Sequence, residues 1–266
     1  MAAAQQRYGA RVPRYETDLS DAEWRLIQAC LPPDPVGGRR RTTDLRAVCD
    51  AIFYVLKTGC QWRFLPVDFP PWSTVYHYHQ RWRRGVFWKG FHDLLRSITR
   101  LKAGKSPEPT AGIIDSQTVK SSPQAIDPVG YDGGKKVKGR KRHAMTDTEG
   151  LLLGLRVHPA DVQDRDGLAQ VFEAMEDEHP LLTTVFADGG YQGPRAAAAC
   201  PVDLTVVKRT QPGFVVLHKR WIVERTFAWL TQNRRLTKDY EGYAATSETF
   251  IWLAMIRLML RRICPS

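Results

Sequence analysis

The sequence lacks paired cysteines and long apolar runs. Its five cysteines are odd in number and widely spaced, with no Cys-x-x-Cys pair, so we expect neither a disulfide framework nor a cysteine zinc site. No apolar run approaches the roughly 18 residues that a membrane-spanning helix needs. The segment before Arg14 has no apolar signal-peptide core. These absences favour a reducing cytoplasm and argue against a membrane partner.

Acidic residues are also in short supply. The 266-residue chain has 28 Asp and Glu against 39 Lys and Arg, which gives a net charge of +11. Nucleic acid is the first candidate partner, because Lys and Arg bind it by neutralising phosphates. A membrane surface is less suitable, since the charge is spread over most of the chain rather than along one amphipathic helix.

Apolar periodicity divides the chain into a helical part and an α/β part. Residues 1–17 are polar, and we expect them to be loose. Residues 18–101 carry helical patterns, and residues 102–110 have the Pro, Gly and Ser content of a linker. Residues 111–266 alternate strand and helix patterns. We therefore predict a small helical DNA-binding domain, a linker and an α/β catalytic domain.

The order of elements in the second part indicates a ribonuclease H-like fold. Three predicted strands precede a helix, a strand, a helix, a strand and the last helices, which corresponds to a mixed five-stranded sheet with flanking helices. The predicted strands cover residues 112–119, 140–146, 151–157, 182–187 and 202–207. In this fold the first and fourth strands lie side by side.

The helical part has features of a helix-turn-helix domain. Residues 73–84 form the helix that would lie against DNA, with Arg81, Arg83 and Arg84 binding phosphates or guanines. The alternative is a plain helical bundle with aromatic side chains in its core and solvated arginines. The sequence leaves both interpretations open.

Carboxylates stand where the α/β part would present them together. Asp115 and Asp188 each end an apolar run, and Glu224 lies in a helical pattern with Arg220 four residues before it. Mg²⁺ prefers carboxylate oxygens, and two such ions can stabilise both oxygens of a phosphodiester displacement. Singly, however, an aspartate after a strand is usually a turn former, and a helical glutamate is usually solvated or ion-paired.

Several blocks resemble the DDE transposases of bacterial insertion sequences, specifically the insertion-sequence-five-like family. The similar blocks are residues 114–120, 130–143, 158–167, 187–191 and 220–230, and residues 19–84 resemble the family's helical domain. The resemblance implies a nucleoid-associated bacterial transposase that binds the double-stranded ends of its element. It further implies metal-dependent strand cleavage, strand transfer and a homodimer or higher oligomer on DNA.

The resemblance also implies roles for individual residues. Asp115, Asp188 and Glu224 would be the catalytic residues and would ligate two Mg²⁺ or Mn²⁺ ions. Related transposases often carry a tyrosine and a lysine at fixed spacing from the arginine and glutamate. Here Leu217 and Thr231 stand at those positions. Candidates for the replacement cation are Arg234, Arg235 and Lys238.

A basic run follows the first aspartate block. Six cations lie within residues 135–142, and glycines flank them. We expect a hairpin that grips DNA phosphates, the alternative being a solvated loop. The cations are Lys135, Lys136, Lys138, Arg140, Lys141 and Arg142. For Arg220 two interpretations stay open. It could have a functional role, by holding the Glu224 side chain or contacting a phosphate, or it could make an ordinary surface ion pair with Glu224.

A rival acidic site and two rival functions stay open. His158, Asp161, Asp164 and Asp166 form the rival site, for which helix capping is a better interpretation than metal binding. The rival functions are a stand-alone metal-dependent nuclease or resolvase, and a non-catalytic DNA-binding repressor.

Overall fold

The computed structural model describes residues 13–33, 42–176, 178–207 and 219–265. The helices are α1 (Asp21–Cys30), α2 (Leu45–Thr58), α3 (Trp72–Arg84), α4 (Phe87–Lys102), α5 (Asp164–Met175), α6 (Pro194–Ala199), α7 (Arg220–Thr231) and α8 (Ala244–Ile263). The strands are β1 (Ala111–Lys120), β2 (Gly130–Asp132), β3 (Val137–Thr146), β4 (Leu152–Pro159), β5 (Thr184–Ala187) and β6 (Asp203–Val206). Short 3₁₀ turns lie at Trp62–Phe64, Gly189–Tyr191 and Arg234–Leu236. None of the helices in these ranges is long and apolar enough to cross a membrane.

The sheet is mixed, and β1 lies at its centre. β1 pairs antiparallel with β3 and parallel with β5, while β3 also pairs with β4 and β5 with β6. The predicted ribonuclease H-like arrangement is confirmed. We did not predict β2, which pairs Gly130 with Gly139 at the start of β3. Its three residues are too few to show a periodicity.

Local signals explain where the first helices begin and end. The Ser20 hydroxyl accepts from the backbone N–H of Glu23, whose carboxylate in turn accepts from the Ser20 N–H, so α1 begins with a capping box. The Asp44 carboxylate caps α2 by accepting from the backbone N–H groups of Arg46 and Ala47, and Gly59 ends this helix with φ 71°, a conformation that glycine adopts without strain.

In the residues that the structure describes, the helical part shares its core with the α/β part. Buried residues of α2 and α4 belong to one apolar cluster with buried residues of β1, β4 and α8. The His92 ring on α4 lies 4.6 Å from the Trp252 ring on α8. The predicted linker is tied down, since Arg100 Nε donates to the Ser106 carbonyl at 2.7 Å. The boundaries at 102–110 therefore mark a change of sequence pattern and not a gap in the core.

Candidate active site

The pairing of β1 with β5 brings Asp115 and Asp188 to the same part of the sheet. The strands run parallel with Ile113 opposite Phe186, so residues two positions further along each strand emerge side by side. Asp188 directly follows β5, and its Oδ1 accepts from the Gly190 N–H at 2.8 Å. The placement agrees with what the predicted fold requires.

Asp115 is the less solvated of the two carboxylates. Burial raises its pKa to about 6, and the nearby charge of Asp188 contributes to the rise. Three groups act to lower the pKa of Asp115. The Ser116 backbone N–H donates to its Oδ1 at 2.7 Å, and the positive charges of Arg220 and Lys135 favour the ionised carboxylate. A cation placed here would favour the ionised form of Asp115.

Arg220 links the other two carboxylates. It is the first residue of α7, and its guanidinium lies 3.5 Å from Asp188 Oδ2 through Nη2 and 3.3 Å from Glu224 Oε1 through Nε. Glu224 stands one helical turn later, with a side chain that is 54% exposed. Arg220 is therefore more than a partner of Glu224 on the helix surface, because it also approaches Asp188.

The donor set suits a hard divalent cation. The three side chains offer carboxylate oxygens only, which are the ligands that Mg²⁺ and Mn²⁺ prefer. In this conformation no group of three or more His, Cys, Asp or Glu side chains within the described ranges is close enough to hold a metal. The guanidinium of Arg220 lies instead beside two of the carboxylates.

A second polar cluster lies directly behind Asp115. The Ser116 hydroxyl donates to Asp164 Oδ1 at 2.8 Å, and Lys141 Nζ donates to the same oxygen at 3.1 Å. His143 Nε2 lies 3.4 Å from this oxygen, and His143 Nδ1 lies 2.6 Å from His158 Nε2. We missed His143 as a member, although it pairs with Ser116 across β1 and β3.

This cluster is structural in character. Burial raises the pKa of Asp164, but hydrogen bonds from His143 and Ser116 and the charge of Lys141 outweigh it and hold that pKa below its usual range. Burial lowers the pKa of His143, and lowers that of His158 to about 4. Burial therefore favours the neutral form of both imidazoles.

The rival acidic site does not assemble as one group. Asp164 is the first residue of α5 and is held by the cluster behind Asp115. Asp161 and Asp166 are exposed, and Asp161 Oδ1 lies instead against Gly130 at the start of β2. Only His158 and Asp164 of the predicted quartet share a set of contacts.

The basic run divides into an exposed half and a buried half. Lys135, Lys136 and Lys138 are exposed on the hairpin that joins β2 to β3. Lys135 Nζ reaches to 3.4 Å from the carbonyl oxygen of Ser116. This hairpin therefore brings positive charge next to Asp115.

The DNA contacts predicted for the second half of the run are wrong in this structure. Arg140 and Arg142 are 0% and 1% exposed, and Lys141 is 6% exposed. The Arg140 guanidinium donates to Asp239 Oδ2 at 2.9 Å, and Arg142 Nη1 donates to the Leu236 carbonyl at 2.8 Å. Their donors are directed into the protein and do not reach a DNA surface.

On α3 the three arginines differ in exposure. Arg81 and Arg84 are exposed, whereas Arg83 is half-buried and donates to Gln80 Oε1 at 3.0 and 3.1 Å. Residues 59–71 connect α2 to α3, a longer connection than the 3–4-residue turn of a compact helix-turn-helix. Assignment of α3 as the DNA-reading helix stays a prediction.

Two of the three candidate cations for the family's missing lysine are free to take that role. Leu217 lies outside the described residues. The Thr231 hydroxyl donates to the Ala228 carbonyl at 2.9 Å. Arg235 is buried and paired with Glu241 at 2.6 Å, whereas Arg234 and Lys238 are exposed.

Comparisons with known proteins relate the chain to transposases. Residues 106–259 match the family model "Transposase DDE domain", and residues 19–92 match "Putative transposase of IS4/5 family". The chain is 33% identical over 126 residues to "Putative transposase for insertion sequence element IS402" of Burkholderia cepacia. The matched region covers 43% of this chain and 60% of that protein.

A second relative from the same organism also matches. It is "Insertion element IS402 uncharacterized 16.2 kDa protein", 28% identical over 109 residues, with 39% of this chain and 73% of that protein covered. No solved structure matches the chain.

Proposed function

The chain belongs to the DDE transposases, since the model of their catalytic domain matches residues 106–259, and we propose that it cleaves DNA at the ends of a mobile element and joins those ends to a target. Asp115, Asp188 and Glu224 are the catalytic carboxylates in this proposal. The observation that carries it is the placement of the carboxylates: β1 and β5 present the two aspartates together, and Arg220 lies within 3.5 Å of Asp188 and 3.3 Å of Glu224.

Members of this family depend on divalent metal, and we propose that these three carboxylates hold two ions, Mg²⁺ or Mn²⁺. Bound there, the ions would supply charge stabilisation for the attacking and leaving oxygens of a phosphodiester. The protein's part is to hold the oxygens. The backbone N–H groups of Ser116 and Gly190 each fix one oxygen of Asp115 and Asp188. Arg220 lies within ion-pair distance of Glu224 and would help to orient it; with metal bound, its guanidinium could contact a phosphate.

The exposed cations supply the proposed DNA-binding surface. Lys135 lies next to Asp115 on the β2–β3 hairpin, so DNA held there would pass the carboxylates. Arg81 and Arg84 are exposed on α3 and would bind the double-stranded end. The remaining members of the surface are Lys136 and Lys138. Because two element ends are to be joined to one target, we propose a homodimer or higher oligomer on DNA as the active form.

The proposal is tested by cleavage of a labelled element end with Mg²⁺. We expect Asp115→Asn, Asp188→Asn and Glu224→Gln each to abolish cleavage and to leave binding of the end in place. Asp203→Asn is the matched control, because Asp203 is an exposed carboxylate at the sheet edge on β6. Cleavage above a few per cent in one of the three variants would remove that residue from the site.

A supercoiled target plasmid in the same assay separates the rival functions. A transposase joins the labelled end to the plasmid, whereas a stand-alone nuclease or resolvase releases cut ends without joining them. A non-catalytic repressor binds the end and leaves it uncut. The carboxylate geometry favours an enzyme over the repressor.

A further inference from the structure

An aromatic-lined cavity lies where the helical part meets the loops that follow β1 and α7. Its volume is about 420 Å³, within the range of roughly 300–1,000 Å³ that is usual for ligand pockets. Residues of the 3₁₀ turn at Trp62 and of the start of α3 line it, together with Gln124 and Tyr240. None of these residues belongs to the proposed carboxylate site.

Three of the aromatic side chains that line the cavity are partly open to solvent. Trp72, Tyr76 and Tyr240 are 39%, 40% and 40% exposed, although all three line a concave surface. Trp62 also lines the cavity, and its ring meets that of Tyr76 edge to face at 5.5 Å. Large aromatic rings presented in this way offer flat faces for stacking without further folding of the protein.

The polar groups of the cavity give it a positive character. The Arg63 guanidinium lies 5.3 Å from the centre of the Trp72 ring, and no carboxylate within the described ranges lies at ion-pair distance from it. Arg235 also lines the cavity but is already paired with Glu241. Gln61 adds an amide that can both donate and accept hydrogen bonds. No Asp or Glu among the described residues lines the cavity.

We infer that this cavity binds an unpaired base of single-stranded DNA. The base would stack on the aromatic walls, its edge would meet the amides of Gln61 and Gln124, and Arg63 would contact the adjoining phosphate. A base inside a duplex cannot enter, because its neighbours already cover both faces. The identity of the ligand rests on the proposed function, because a protein that cleaves DNA meets single-stranded DNA rather than other aromatic anions. Trp72 and Tyr76 also share α3 with Arg81 and Arg84 of the proposed DNA surface.

The test measures binding of a fluorescein-labelled oligothymidylate to the full chain in EDTA, by anisotropy. A phosphate–abasic oligomer of equal length carries the same charge without bases, and a duplex of equal length has no free base. We expect the oligothymidylate to bind more tightly than the abasic oligomer. Stacking one base contributes about 1–3 kcal/mol, so Trp72→Ala or Tyr240→Ala should weaken its binding about 5- to 140-fold. Abasic binding should change little.

Tyr243→Ala is the matched control, since Tyr243 is 50% exposed and lies outside the cavity. Trp72→Phe keeps a stacking face and should restore most of the affinity, which separates stacking from misfolding. Thermal unfolding of each variant gives an independent check of folding. Equal affinity for the oligothymidylate and the abasic oligomer would overturn the inference, as would equal losses in Tyr240→Ala and Tyr243→Ala. If that happens while end cleavage persists, the proposed function stands and only this inference fails.

Discussion

Replacing Arg140 distinguishes a structural role from a DNA-binding role within one basic run. Arg140 is fully buried, and its guanidinium donates to Asp239 Oδ2 at 2.9 Å and to the carbonyls of Asp127, Glu241 and Gly242 at 3.0, 3.0 and 2.7 Å. The Asp239 side chain is 1% exposed. Arg140→Met therefore leaves a buried carboxylate without its cation and removes the donor from three carbonyls.

The expected cost is large. Removing one partner of a buried ion pair costs about 3–5 kcal/mol, because the other charge stays buried and unpaired. For a chain of this length about 1 kcal/mol corresponds to roughly 2–4 °C in melting temperature. We expect Arg140→Met to lower the melting temperature by about 6–20 °C. Lys138→Gln, at an exposed position in the same run, should change stability by about 0.5 kcal/mol or less.

The assay is thermal unfolding followed by circular dichroism at pH 7, together with a salt titration of DNA binding at a temperature where both variants are folded. Adding Asp239→Asn to Arg140→Met removes the unpaired charge and keeps an acceptor for the Ser247 hydroxyl, which donates at 2.6 Å. The double variant should recover part of the lost stability. An unchanged melting temperature in Arg140→Met, with a shallower salt dependence, would refute the buried ion pair and support a DNA contact.

Three further predictions follow from the same structure. Replacing the hairpin lysines Lys135, Lys136 and Lys138 by glutamine should reduce the slope of log affinity against log salt by roughly 0.9 per phosphate contact; equal slopes for the variant and the unaltered protein would mean a solvated loop. Because the pKa of Asp115 is raised to about 6, its carboxyl takes up a proton as the pH falls through 6, so Mn²⁺ affinity measured by calorimetry should drop between pH 7 and pH 5; a flat profile would contradict this. Deleting residues 1–101 should uncover the apolar face of α8 and give aggregated protein in size-exclusion chromatography, and a soluble monomer would show that the helical part is separable.

Asp115, Asp188 and Glu224 could be predicted from short sequence patterns. An apolar run that ends in an aspartate is visible in a few residues, and so is a glutamate one helical turn after an arginine. The order of strands and helices then places β1 beside β5, which makes Asp115 and Asp188 neighbours. The contact of Arg220 with Asp188 could not be predicted from such patterns. It depends on how α7 meets the sheet, which periodicity alone does not specify.

The buried half of the basic run had no such local signal. In β3 the last eight residues are all buried, although Arg140, Lys141 and Arg142 are among them. Their burial depends on acceptors that arrive much later in the chain: the Arg140 partner Asp239 is 99 residues away, and the Arg142 partner Leu236 is 94 residues away. A run of cations therefore looks the same in sequence whether its partners are phosphates or the protein's own carbonyls.

The shared core, by contrast, can be inferred from the apolar pattern of α8. Residues 249–256 are all buried, and a helix that is apolar on every side must be covered on every side. The sheet covers one side through β4, and α4 covers another. A one-sided helix would have been compatible with a separate helical domain, because the sheet alone suffices to bury it. The all-round apolar pattern of α8 requires a second layer, and the helices before residue 102 supply it. The composition of residues 102–110 indicated a flexible connection, but that composition describes only the loop and not the surfaces that the loop joins.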